Sequence, residues 1–520
     1  MLHCDWSIFS DLPWCDKNFS HPPYRGRSLQ NIIDMSSAAE KSSHVSASNP
    51  AMVPNNEEPR RSNNAFANFL EDWLVFPKLL YFGLNVVIYS THSFLFQYVN
   101  DTWHITKSEY SLTNFVQFTN IAGSFVFSRL ADRTGKYRLI VSGCVLGYCL
   151  FMCLLLFPVM VPTPEQIAAE EDPLKVYRIG VYLLINAVCF FFTAGTFPLL
   201  DSMVMSKLSS NPNLSKELFG RQRLWGTIGH CIIGEIVHYI YKHLYTNLNV
   251  MFYTLIVTSG LFIASVFVGI PGDLKVEAHS HGHHGHGGAN KDSKDSAAAS
   301  PSGPRPTAFS LMTSPSFSFF LGTVFVAGFI RALITTFQSP FITEELLYDK
   351  KVVSGSIMSR VVPEALLYFF SKEISQYLGI YWVLIIGHTA GVLRMFGYTM
   401  VPAGKSKNST PETWVLYSIY ALEWLKGVNS SLVISSAARI ASDMAPKGLA
   451  STAQGLVAGT WQGLSMTIGS LSGYFLVKGL EIKGTFTYCS LAGGICTVLI
   501  LLKFAMVDRV LFTSSRKSVA

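Results

Sequence analysis

Ser128-Arg-Leu-Ala-Asp-Arg-Thr-Gly-Lys-Tyr-Arg138 lies between two long apolar runs. It carries four cations within ten residues, at Arg129, Arg133, Lys136 and Arg138. In a membrane protein the positive-inside bias pins such a loop to the cytoplasmic side. Asp132 and Gly135 allow a tight, charge-paired connection between two antiparallel helices. A soluble domain has little use for a basic insert of this kind.

The composition agrees. Of 520 residues only 14% are charged, against about 25% in soluble domains; 49% are apolar and the mean hydropathy is +0.32. The chain reads as an all-α polytopic membrane protein embedded in a lipid bilayer. No basic segment carries the interleaved aromatics that grip single strands, so nucleic acid is not an expected partner. The nine cysteines include no CxxC pair. Seven lie in or beside apolar runs, where they read as small packing residues.

A run of about 20 apolar residues spans the hydrocarbon core. Working outward from the loop, the expected spans are 77–99, 112–131, 139–161, 177–203, 224–242, 250–270, 317–342, 354–374, 380–402, 413–434, 451–477 and 485–507. The longest hydrophilic break divides these twelve transmembrane helices six and six. The expected layout is a cytoplasmic tail over 1–72, six-helix halves over 73–270 and 317–507, a His/Ser/Gly-rich linker over 271–316, and a C-terminal tail over 508–520. The first tail is polar and aperiodic and reads as disordered. Met35 opens a plausible second start, and no cleavable signal pattern precedes the first apolar run.

The loops after spans 2, 4, 6, 10 and 12 are rich in Lys and Arg. Those after spans 3 and 7 are poorer in cations and carry Glu165, Glu170, Glu171 and Asp172, and Glu344, Glu345 and Asp349, the last group offset by Lys350 and Lys351. Both termini are therefore expected in the cytoplasm. Two sequons, Asn100-Asp-Thr and Asn408-Ser-Thr, fall on the outer side and are candidate glycosylation sites. A weak repeat supports two halves: Phe127-Ser-Arg-Leu-Ala-Asp-Arg-Thr-Gly135 after span 2 is echoed by Phe370-Ser-Lys-Glu-Ile-Ser-Gln-Tyr-Leu-Gly379 after span 8.

A charge at the bilayer centre costs about 3 kcal/mol or more, so it faces a partner or a wet cavity. Asp201 on span 4 and Arg223 at the start of span 5 form one candidate cluster. Arg223, Thr227, His230, Gly234 and His238 share a helical stripe. An Asp–Arg pair suits a polyol, with the carboxylate accepting and the guanidinium donating; it also suits a structural ion pair. Glu364, Arg394, Glu423 and Lys426 form the second cluster. Two acids and two bases can exchange partners and couple a proton to a solute, or they can neutralise each other and lock the bundle. Asn85 and His92 sit seven apart on span 1 and both face the same way. Arg331 in span 7 is a further candidate. The glycine faces around Gly427, Gly455, Gly459, Gly463, Gly469 and Gly473 suit close packing or sliding. His281, His283, His284 and His286 in the linker are weak candidate metal ligands. No intramembrane Asp/His set accompanies them, and the tract reads as a solvated linker. No cofactor motif or nucleophile–base constellation is present, so an enzyme is not expected.

These motifs carry a resemblance. Ile105-Thr-Lys-Ser-Glu, the Arg129–Arg138 loop, Pro198-Leu-Leu-Asp, Phe219-Gly-Arg-Gln-Arg-Leu-Trp-Gly226, Glu364, Arg394 and Leu422-Glu-Trp-Leu-Lys-Gly427 resemble the oligosaccharide/nucleoside–proton symporter branch of the major facilitator superfamily, to which lactose permease belongs. The similarity runs from about residue 72 to 507. It implies that Asp201 and Arg223 hold the solute, that Glu364 links solute and proton, and that Arg394 tunes proton release. Asp132, Arg133 and Gly135 match the gate-side loop. Where lactose permease has a histidine and a glutamate, this chain has Glu423 and Lys426. The sugar-stacking aromatic falls near His230. The resemblance implies a secondary transporter of a sugar, nucleoside or similar solute, coupled to protons and working by alternating access. A monomer in the plasma membrane, ahead of an organelle membrane, is the expected form. A metal-ion transporter that needs the His tract and a non-transporting solute sensor are the alternatives.

Overall fold

The structure, a computed structural model, describes residues 74–92, 94–110, 112–159, 161, 173–210, 214–244, 247–270, 307–406 and 409–513. Residues 1–72, most of the linker and its four histidines lie outside this set. The main helices are α1 Val75–Tyr89, α2 Leu95–Trp103, α3 Thr119–Thr134, α4 Tyr137–Cys153, α5 Lys175–Ser210, α6 Phe219–His243 and α7 Val250–Gly269. They continue with α8 Pro315–Pro340, α9 Lys350–Ser359, α10 Val361–Phe369, α11 Ser371–Leu378, α12 Ile380–Thr399, α13 Thr413–Met444, α14 Ala450–Ala458 and α15 Ser465–Leu502. Among the described residues there is no sheet, only the isolated bridge Tyr348–Ser409.

Six helical stretches are long and apolar enough to cross a membrane: Tyr137–Leu156, Lys175–Ser210, Val250–Gly269, Pro315–Glu345, Ile380–Thr399 and Ala450–Val507. The other expected spans carry breaks or charges. The first is interrupted where Ser90 Oγ donates to the Val87 carbonyl at 2.8 Å, competing with the helix ladder. The eighth is split into α9, α10 and α11; Pro363 has no N–H to give the preceding turn. α6 and α13 carry charges that pair with neighbouring helices: Arg223 meets Asp201 of α5, and Glu423 meets Arg394 of α12. The stretch 450–507 holds the last two expected spans, divided at Glu481, whose φ is 58°. Glu345 caps the restart, accepting from the Ile482 N–H at 2.6 Å and the Lys483 N–H at 2.9 Å.

Large apolar side chains such as Leu139, Leu150, Val257, Leu261, Val268 and Ile495 lie exposed on the outside, as lipid-facing surfaces require. Inside, one buried apolar cluster is built from 74–270 with Ala438, and two more lie within 311–511. The seam between them is made by close helix approach. A Cβ on Gly455 would meet the Ser128 hydroxyl at 2.5 Å, and one on Gly459 the Ser124 hydroxyl at 2.7 Å, so α14 and α3 touch nearly backbone to backbone. Gly469 and Gly473 serve α15 against Ala332 and Phe337 of α8.

α3 ends at Gly135, which takes the left-handed conformation at φ 67° and donates its N–H to the Ala131 carbonyl at 2.8 Å. Beyond this turn Tyr137 donates to Asp132 Oδ1 at 3.0 Å. The opening sequence stretch therefore folds as a capped hairpin between α3 and α4.

Candidate functional site

Asp201 follows Pro198 on α5, and Arg223 lies one turn into α6. Arg223 Nη1 donates to Asp201 Oδ2 at 2.7 Å and Oδ1 at 2.9 Å. Tyr81 of α1 adds a hydroxyl donor to Oδ1 at 2.5 Å. The guanidinium also lies 5.4 Å from the centre of the Phe197 ring. Asp201, Arg223 and His92 all line a cavity of about 280 Å³. Its walls include Tyr89, Gln117, Asn120 and Phe197 from the first set of helices, and Val433, Gln454, Trp461 and Gln462 from the second. The break between α1 and α2 sits beside it, and irregular backbone at membrane depth is tolerated where it faces such a space.

The structure divides the α6 stripe among several partners. Thr227 donates to Glu364 Oε1 at 3.3 Å, reaching across to α10. His230 stacks on Tyr89 with centroids 3.7 Å apart and planes at 11°. His238 stacks on Phe94 at 6.1 Å. His92 meets the Tyr89 edge at 5.5 Å. Asn85 does not line the cavity: its amide donates to the Tyr81 carbonyl at 2.9 Å and abuts Gly226, joining α1 to α6.

The second cluster separates into two parts. Arg394 and Glu423 are both fully buried; Arg394 Nε and Nη2 donate to Glu423 Oε1 at 3.0 and 2.5 Å. Tyr398 donates to the same oxygen at 2.7 Å, and Gln338 accepts from Arg394 at 3.2 Å. Glu364 and Lys426 stand apart from this knot, half-buried, with Arg360 and Arg223 as charged neighbours of Glu364. Arg331 donates to the Trp461 carbonyl at 3.0 Å and to Gln462 at 3.3 Å, and lies 4.5 Å from the Trp461 ring centre.

Asp132 reaches the N-terminus of α14. It accepts from the Ser451 N–H at 3.1 Å, the Thr452 N–H at 2.6 Å and the Thr452 hydroxyl at 2.6 Å. A carboxylate there satisfies orphan donors and meets the positive end of the helix dipole. Arg133 is exposed and lies with Arg129 along a shallow groove beside Thr307 and Ala308. The echoed segment does the matching job with other chemistry. Ser371 Oγ donates to the Glu217 carbonyl at 3.4 Å, and Glu373 pairs with Arg221 at 2.5 Å. Lys216–Asp443 at 2.6 Å and Arg439–Glu217 at 3.3 Å complete this face. Among the described residues, the ion pairs joining 74–270 to 307–513 all lie here, so the cavity is closed at the end that bears the Ser128–Arg138 loop.

Away from the membrane-spanning segments, Glu109 of the Ile105-Thr-Lys-Ser-Glu motif pairs with Lys175 at 2.7 Å and accepts from the Thr106 N–H at 2.9 Å. Burial pushes its carboxyl up, but the hydrogen bonds from Lys175 and Thr106 outweigh burial and hold it below the ordinary value.

Sequence reasoning missed Arg360, Tyr81 and Tyr398. Arg360 stands four residues before Glu364, a spacing that places both on one helical face. The tyrosines left no signal, because an apolar run absorbs a hydroxyl without changing its periodicity. Among the described residues no group of three or more His, Cys, Asp or Glu is arranged to hold a metal ion.

The family model described as MFS_1 like matches residues 74–488. Three solved transporters share the fold. A mutant of the nucleoside transporter NupG is 14% identical, with 83% of this chain and 99% of that chain covered and a TM-score of 0.51. A bacterial homologue of the iron transporter ferroportin in its outward-facing state is 10% identical, with 83% and 98% covered and a TM-score of 0.56. The human organic anion transporter MFSD10 (TETRAN) is 9% identical, with 83% and 99% covered and a TM-score of 0.53. The chain belongs to the MFS_1 like family and is a multi-pass membrane transporter of the major facilitator fold.

Proposed function

We propose that the chain carries a small polar organic solute through the cavity by alternating access, and that proton movement drives it through Glu364. One observation carries the reading. Glu364 is a half-buried carboxylate whose hydrogen bond, from Thr227, crosses between the two sets of helices. Arg360 and Lys426 stand beside it. Protonation removes the charge that these cations and Thr227 hold, so proton occupancy changes how firmly α10 grips α6. Asp201, tied to Arg223 and Tyr81, supplies acceptors for solute hydroxyls while the guanidinium supplies donors. Asp132 and the ion pairs at the closed end are the contacts that must release when the halves rock.

The test is uptake into proteoliposomes with an imposed pH gradient, across a sugar and nucleoside panel. Accumulation is expected to collapse with a protonophore; uptake indifferent to it removes proton coupling. Glu364→Gln is expected to abolish gradient-driven accumulation while solute counterflow persists. If accumulation survives in that variant, Glu364 is not the coupling group. Asp201→Asn is expected to weaken solute affinity by about 30-fold, the equivalent of roughly 2 kcal/mol for a lost hydrogen bond to a charged group. Equilibrium binding to the purified protein measures it, and unchanged affinity removes Asp201 from the site.

A further inference from the structure

Among the described residues, the Asp and Arg side chains that line the cavity are Asp201 and Arg223, and each is answered by the other. The rest of the polar lining is uncharged apart from His92, and part of it is unspent. Asn120 of α3 is 8% exposed and Trp461 is 5% exposed, and both line the cavity. The Asn120 amide and the Trp461 indole N–H have no hydrogen-bond partner among the described residues. Gln454 is buried too; it spends Nε2 on the Ala438 carbonyl at 2.6 Å and keeps Oε1. Buried polar groups are nearly always paired, so donors and acceptors left open on a cavity call for a ligand or for water.

These groups come from both sets of helices and sit together. Trp461 and Gln462 lie on a π-helical turn, Gly459–Leu464, between α14 and α15. Such turns shift the register of side chains and recur at functional sites. A Cβ on Gly463 of this turn would meet the Asn120 Cβ at 3.3 Å, so α3 packs directly against it. The indole is held in place. Arg331 donates to the Trp461 carbonyl at 3.0 Å, and its guanidinium lies 4.5 Å from the ring centre. The ring is thus positioned before any solute arrives. Tyr89, Phe190 and Phe197 add further flat walls. Aromatic walls suit a flat π-system, and a side-chain amide offers a donor and an acceptor side by side.

We propose that Asn120 and Trp461 form a second subsite, which takes a flat, uncharged ring whose edge presents an amide-type donor and acceptor side by side. The subsite rests on the solute-transport reading above: Asp201 and Arg223 meet the hydroxyl-bearing part of the solute, and Asn120 and Trp461 meet the ring. Asn120 pairs with the ring edge through both atoms of its amide. The indole N–H and Gln454 Oε1 supply one further donor and one further acceptor. A plain sugar has no such edge to offer them.

The test is thermal unfolding and equilibrium binding of the purified full-length chain. Uridine, inosine and nicotinamide carry such an edge; ribose and glucose do not, and in N3-methyluridine it is blocked. At least one of the first three is expected to raise the unfolding midpoint above all of the last three. Asn120→Leu, of similar size, is expected to unfold, ligand-free, at or above the wild-type temperature, because an unspent buried amide is removed. It is expected to lose about tenfold in affinity for the ring-bearing solute, and Trp461→Phe, which keeps a ring and loses the N–H, about threefold. The subsite is overturned if the sugars or N3-methyluridine stabilise as well as the ring-bearing solutes, or if none of these solutes stabilises. It is also overturned if Asn120→Leu keeps full affinity, or if it unfolds well below the wild type, which makes Asn120 a structural residue. Proteoliposome uptake separates the two readings. A ring-bearing solute that binds but does not cross defeats transport and leaves the subsite standing; a sugar that crosses equally well in Asn120→Leu, with no ring-bearing solute bound, defeats only the subsite.

Discussion

Glu423→Ala is expected to destabilise the folded chain by about 3–5 kcal/mol, seen as a large fall in unfolding temperature in detergent. The acid and Arg394 are both fully buried, and a single carboxylate oxygen receives two guanidinium bonds and the Tyr398 hydroxyl. Removing the acid strands a desolvated guanidinium and orphans a tyrosine in one step. The cost is that of an uncompensated charge and not of a missing contact. Replacing both residues, as Arg394→Met with Glu423→Met, is therefore expected to recover most of the loss, since an apolar pair of similar volume needs no partner. If Glu423→Ala folds as stably as the parent and instead uncouples uptake from the pH gradient, Glu423 is a proton carrier and the lock reading is wrong.

Asp132→Ala acts on a different equilibrium. The carboxylate takes two backbone N–H groups and a hydroxyl from the first turn of α14. Charge-assisted bonds of this kind are worth about 1.5–3 kcal/mol each when fully formed, although they share one acceptor group. Their loss is expected to cost the closed state about 2–4 kcal/mol in all, a shift of roughly 30- to 1000-fold in its population. Spin labels at the exposed positions Arg133 and Lys447, on either side of the contact, report it as a longer distance distribution. Asp132→Asn keeps an acceptor and is expected to fall between. An unchanged distribution in Asp132→Ala shows that Asp132 caps α14 without controlling closure.

The sequence carried a good part of this arrangement. The basic loop with Asp132 and Gly135 reads as a tight turn because charge, turn chemistry and flanking apolar runs agree there. Asp201 and Arg223 were legible as a pair because two charges in adjoining apolar runs need each other. The second cluster was less legible. Glu423 and Lys426, three residues apart, suggest a local pair. The register between α12 and α13 decides otherwise. Asn429 donates to the Gly387 carbonyl at 2.8 Å, and that contact sets Arg394 opposite Glu423 and leaves Lys426 aside. Side-by-side register of two apolar helices is a property of their joint packing, and one sequence does not state it. The interruption after Tyr89 was hidden for a related reason. Ser90-Thr91-His92 sits among apolar neighbours, and hydropathy averages across it.

Asp132 and its counterpart Ser375 give the closed end two unlike fastenings. One side is held by a carboxylate seated on backbone N–H groups. On the other, Ser375 accepts from Arg439 at 2.8 Å, and the holding force comes from partly exposed ion pairs such as Lys216–Asp443. Mobile salt screens the second kind far more than the first. Raised ionic strength therefore loosens one edge of the bundle before the other. At high salt the ion-paired edge is therefore the first to let go, and the α3–α14 seam the last.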